Sequence, residues 1–183
     1  MRSMCAVSCA LILAALWVGC GDDSADAPVN SLADQVRQLD AHAALSLANT
    51  WRSTQPGVNA TLTARAVRFI FKSGEEVSIP LPADTMILEV APYLTRTHPC
   101  QIHSLSGCRA EMAGFDIKVH AQTPDGTVLM DGAMTAMDNG FIELWLPRGK
   151  EIDLTLESAG KKANGRVTTY ESSNTCLTGF KLE

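Results

Sequence analysis

Three cysteines and two histidines carry the chemistry this sequence could do. In the run Thr97-His98-Pro99-Cys100-Gln101-Ile102-His103-Ser104-Leu105-Ser106-Gly107-Cys108-Arg109, two thiols and two imidazoles fall within eleven residues. Pro99 holds His98 extended, and Gly107 lets the chain bend before Cys108. Cys100 and His103 are three residues apart, a spacing that lets both face one ion. Thiolates favour Cu(I), with Zn(II) as competitor, and imidazole suits either metal or Cu(II). Cys176 lies far along the chain. It completes a three-sulfur site only if the fold returns the last strand beside the loop.

Of the six cysteines, Cys5, Cys9 and Cys20 belong to the first twenty residues. Arg2 gives a positive start, Cys5 to Val18 is apolar apart from Ser8, and Gly19-Cys20 closes the stretch. Such a segment is too short to span a bilayer and has the flanks of an export signal. A small residue before a cysteine at its end resembles the lipobox of bacterial lipoproteins. The expectation is a signal peptide over 1–19, a lipidated Cys20, and a flexible tether over 20–30 that includes Asp22, Asp23 and Pro28. The protein would then face the periplasm from the inner or outer membrane. Three thiols, Cys100, Cys108 and Cys176, remain in an oxidising compartment, and an odd count leaves at least one without an intramolecular partner. Two thiols could give electrons to Cu(II) and close a disulfide while the third holds the Cu(I). An outside reductant would then be needed, so the sequence carries no sign of independent turnover.

Composition sets the remaining bounds. The chain has 183 residues, enough for one domain or one with a small appendage. Its formal charge is −5. Removing residues 1–19 takes away only Arg2, leaving 14 basic and 20 acidic residues, or −6. A negative chain without basic runs does not suit nucleic acid. Asn59-Ala60-Thr61 matches a glycosylation acceptor, which is irrelevant behind a bacterial lipoprotein signal.

The elements that must position the thiols read mainly as strands. Ser31 to about Asn49 predicts one helix, capped by Asn30 or Ser31, with Leu32, Val36, Leu39, Ala43 and Leu47 at helical spacing. Strands are expected over 58–63, 67–71, 76–79 and 85–90. The cysteine loop spans about 93–113. Strands follow over 115–119, 128–134, 141–146, 152–156 and 165–170, with Pro124-Asp125-Gly126 and Asp138-Asn139-Gly140 as turns. Cys176 falls on a tail after the last of them. Short strands with turns every eight to twelve residues indicate an immunoglobulin-like or prealbumin-like β-sandwich, with an N-terminal helix and a small β appendage. The expected division is 31–90 for the helix and first strands, a candidate dimerisation region, and 91–183 for a metal-binding sandwich. Met130, Met134 and Met137 read as core filling, Trp145 as core, and His42 and His120 as surface residues.

The residues Ala91-Pro92-Tyr93-Leu94-Thr95-Arg96-Thr97-His98-Pro99-Cys100, His103-Ser104-Leu105 and Gly107-Cys108-Arg109-Ala110-Glu111 resemble the CueP family of periplasmic copper-binding proteins. Asn139-Gly140-Phe141, Leu144-Trp145-Leu146-Pro147-Arg148 and Thr175-Cys176-Leu177-Thr178 continue the resemblance in the same order, from about Leu62 to the C-terminus. It implies copper binding through Cys100, Cys108 and Cys176, with His98 and His103 in the family's motif. It further implies reduction of Cu(II) to Cu(I), recharging by a thioredoxin-like periplasmic reductase, transfer to a periplasmic superoxide dismutase, and a homodimer formed through the N-terminal region. The alternatives left by the residues themselves are a structural or interaction lipoprotein pinned by one disulfide, and a Cys/His zinc module.

Overall fold

A computed structural model describes residues 31–55 and 57–183. The expected signal, the tether and Cys20 lie outside the described residues.

The helical start is broken in two. Helix α1 (Leu32–Arg37) opens on a capping box in which Ser31 accepts from the Asp34 backbone and the Asp34 carboxylate accepts from that of Ser31. It stops where Gln38 and Leu39 donate back to Gln35 and Val36. Asp40 then caps α2 (Ala41–Thr54) by accepting from the Ala43 N–H at 2.8 Å. The single expected helix is therefore two, because a second capping residue lies inside the apolar period. Ala33, Val36, Ala41, Ala44, Leu45 and Ala48 form the buried stripe.

That stripe covers an antiparallel sheet of order β3-β2-β1-β5, made from β1 (Asn59–Leu62), β2 (Ala66–Ile70), β3 (Glu76–Pro80) and β5 (His103–Ser104). Val67 and Phe69 of β2 and Val77 and Ile79 of β3 alternate inward against the helices. Leu105, just after β5, joins this core, so the cysteine loop is rooted in it.

The rest is the expected sandwich. One sheet, β10-β9-β6-β7, joins β6 (Asp116–Gln122), β7 (Val128–Thr135), β9 (Glu151–Ser158) and β10 (Lys161–Thr168), all antiparallel. The facing sheet, β11-β4-β8, holds β4 (Thr85–Tyr93) between β8 (Ile142–Pro147) and β11 (Cys176–Lys181). Met86, Leu88 and Val90 meet Ile117, Val119, Ile152, Leu154 and Leu156 between the sheets. Met130 and Met134 pack along this core, as the sequence suggests, whereas Met137 packs elsewhere.

Two features place the site. First, β4 is buried on both faces, so its odd residues Ile87, Glu89 and Ala91 point away from the sandwich core. Second, the segment expected as a tail is a strand. β11 runs parallel to β4, with Cys176 opposite Glu89. Gly165 makes this docking possible, since a Cβ there would lie 2.9 Å from the Phe180 ring. Arg148 ties the two sheet systems together by donating to the carbonyls of Ala64 and Thr85 at 2.7 Å each.

Candidate metal centre

The cysteine loop is pinned from both sides. Glu111 accepts from the backbone N–H groups of Leu94, Thr95 and Arg96 and from the Thr95 hydroxyl, which brings the strand leading to Cys100 against the segment after Cys108. These bonds, the Thr95 hydroxyl first, hold its carboxyl down to about 2. The Thr97 hydroxyl donates to the Thr178 carbonyl at 2.6 Å, fastening the same stretch to β11. The Gln101 carbonyl accepts from the N–H groups of Thr175 and Cys176, at 2.9 and 3.2 Å. The buried Thr175 hydroxyl donates to the Leu62 carbonyl and accepts from the His103 N–H, so one side chain aligns β1, β5 and the start of β11. On the other side, Ala110 donates to the Asn139 carbonyl. Gly140 has φ +84°, and a Cβ there would come within 2.4 Å of the Ala110 carbonyl oxygen. Only glycine lets this turn close over the loop.

These fastenings bring the three sulfurs together. Cys100 and Cys176 form a disulfide across 76 residues, and the free Cys108 sulfur lies 3.6 Å from that of Cys100. The tail sulfur thus meets the loop. The ring of His98 groups with Cys100 and Cys108, and that of His103 with Cys108 and Cys176, with the ligand atoms of each trio within 4.8 Å of one another. Inter-residue spacing alone suggested Cys100 with His103. The β5 pairing, Leu62 opposite His103 and Thr61 opposite Ser104, instead turns His103 inward. Ala91, Phe141 and Met137 wall the cluster, and both histidine rings meet Phe141 edge-on, at 4.4 Å for His103 and 6.4 Å for His98.

The inner side of the cluster, His103 and Cys176, is buried, and its polar groups are poorly satisfied. His103 is 0% exposed and neither ring nitrogen has a hydrogen-bond partner; Nε2 of His98 is equally buried and unpartnered. Such groups cost free energy unless something else binds them. Burial, aided by His98, lowers the His103 pKa to about 4, so its ring is neutral with a lone pair to offer. Burial pushes the Cys108 thiol up; a backbone hydrogen bond with Ser104 opposes this and Glu89 adds to it. A metal ion would reverse that preference by binding the thiolate. Beside His98 a cleft of about 300 Å³, lined by Arg96, Thr97, Arg109 and Glu111, opens to the surface.

The spacing of chemistry-bearing residues does not point to Glu89. This residue is 0% exposed, lacks a partner for either carboxylate oxygen, and is pushed well above the usual carboxyl range by burial, with Glu143, opposite it on β8, adding to the shift. Its signal was a lone carboxylate inside the apolar run Met86-Ile87-Leu88-Glu89-Val90. His42 is exposed, as expected, and its ring stacks on Trp145 at 3.6 Å; Trp145 is only partly buried. His120 lies within β6, facing Asp131.

Comparison with known proteins decides the family. The model of the family described as periplasmic copper-binding protein CueP matches residues 38–181. The chain belongs to the CueP family. The crystal structure of S.CueP is similar to it, with 32% identity, a TM-score of 0.73, and 80% of this chain and 90% of that one covered. No curated protein matches. The family match begins at the C-cap of α1, well before Leu62, so it takes in α2 and the first sheet. Within this CueP family chain, periplasmic copper binding is the shared property, and Cys/His groups compatible with it are present.

Proposed function

We propose that this protein binds copper on Cys100, Cys108 and Cys176, assisted by His98 and His103, and that the same thiols reduce Cu(II). The observation that carries the reading is the meeting of three sulfurs and two unpartnered imidazoles in one cluster. In the reducing step, the Cys100 and Cys176 thiols give one electron each to two Cu(II) ions. Two Cu(I) ions, one disulfide and two protons result. Cys108 is the thiol left to hold Cu(I), which prefers soft sulfur. The disulfide form then needs a thiol reductant, and a thioredoxin-like periplasmic protein supplies that chemistry. Cu(I) would pass to a periplasmic copper enzyme such as a superoxide dismutase. Cys20 would anchor the protein to a membrane by its lipid, and the helical N-terminal region would serve a homodimer.

The test is a titration of the reduced protein with Cu(I) against a competing chelator. About one tightly bound ion is expected, with none when all three cysteines are serine. Equal binding by that triple variant would refute the reading, and zinc retained against copper would favour a structural zinc site. Loss of disulfide-linked Cu(I) production on replacing either Cys100 or Cys176, read with a Cu(I)-specific dye, tests the reducing step.

A further inference from the structure

Resting on the copper reading of this cluster, we infer that copper has two positions, an outer one on His98, Cys100 and Cys108 and an inner one on His103, Cys108 and Cys176, with Cys108 common to both. Each trio holds its ligand atoms within 4.8 Å, close enough for one ion after small adjustment. Their surroundings differ. All three outer residues are partly buried, each keeping some exposure, and His98 and Arg96 line the cleft that opens to solvent. In the inner trio His103 and Cys176 are buried and only Cys108 keeps some exposure. Each trio has its own imidazole with an unpartnered, buried nitrogen. Among the described residues, no group of three or more such ligand atoms within 4.8 Å of one another contains both rings.

The disulfide explains why two positions matter. Cys100 belongs to the outer trio and Cys176 to the inner one, so their bond removes one thiolate from each. Oxidation therefore empties both positions of a ligand at once, whereas reduction lets the two sulfurs separate, one toward each imidazole. Cys108 is untouched by the bond and can keep hold of an ion as it moves from the cleft inward. The outer position takes copper from solvent or gives it to a partner, and the inner one stores it away from water.

A three-sulfur site with equal roles predicts three equally damaging cysteine substitutions; two positions sharing Cys108 do not. In the reduced protein, Cys108→Ser breaks both trios and should lower Cu(I) affinity about a hundredfold, whereas Cys100→Ser and Cys176→Ser each spare one trio and should lower it about tenfold. Removal of bound Cu(I) by a chelator should be about tenfold faster from Cys176→Ser, which keeps the outer trio, than from Cys100→Ser. Because a serine at buried position 176 could loosen β11, the histidines supply a second arm. His103→Asn should abolish the slowly released copper, and His98→Asn should leave it. Equal losses for the three cysteine variants, equal release rates, or slow release surviving in His103→Asn would each overturn the inference while leaving copper binding standing. Failure of the unsubstituted chain to bind Cu(I) would overturn the copper reading and the two positions with it.

Discussion

The two faces of β4 bury their residues equally and yet build opposite kinds of interior. On one face Met86, Leu88 and Val90 enter a core of aliphatic side chains from both sheets. On the other, Glu89 and Ala91 share space with Cys176, His103 and Phe141. The first face gains stability from apolar burial, at about 25 cal/mol per Å² removed from water. The second gives some of it back, because its carboxyl and imidazole groups are buried without a protein partner. A strand that packs one face for stability can carry strained polar chemistry on the other. The difference teaches where the fold stops serving itself.

Breaking the boundary between those faces should cost most. Gly140→Ala adds a Cβ against the Ala110 carbonyl at a positive φ, so a loss of about 4 kcal/mol is expected in denaturant unfolding. Loss of copper affinity should accompany it, since that turn closes on the cysteine loop. Leu88→Ala, confined to the aliphatic face, should lower stability by about 3 kcal/mol while the folded fraction binds copper as before. If copper affinity falls with it, the two faces are not independent.

The next effect is a pH slope. Glu89 is held above its ordinary range by burial, so the unfolded chain releases its proton before the folded chain does. Its contribution to stability is present below pH 4.5 and is lost as pH rises. Glu89→Gln should therefore raise the metal-free melting temperature more at pH 8 than at pH 5. A difference independent of pH would mean that Glu89 is ionised in the folded protein. Glu111 has the opposite sign and the smallest effect. Its carboxyl is held down to about 2, so it stabilises above pH 4.5 and loses this as pH falls toward 2. Glu111→Gln should be mildly less stable than the parent at pH 7, with the gap closing in acid, and should release copper faster by loosening the loop.

The sandwich was legible because alternation and Asp-Gly or Asn-Gly turns are local signals. β11 was not. Its sequence Cys176-Leu177-Thr178-Gly179-Phe180-Lys181 alternates weakly, and what fixes it is non-local, namely parallel pairing with β4 and a ring resting over Gly165. The break between α1 and α2 was hidden for a related reason, since Asp40 competes as a cap within an unbroken apolar period. In the candidate site, the identities of Cys100, Cys108, Cys176, His98 and His103 stood in the sequence. Their sorting into two trios did not, because the inward turn of His103 comes from a two-residue strand paired with β1.

Copper X-ray absorption on the reduced, Cu(I)-loaded protein tests the central claim most directly. The account predicts a coordination shell dominated by sulfur, with an imidazole contribution, that disappears when Cys100, Cys108 and Cys176 are all serine. A shell of nitrogen and oxygen alone, unchanged by those replacements, would contradict it.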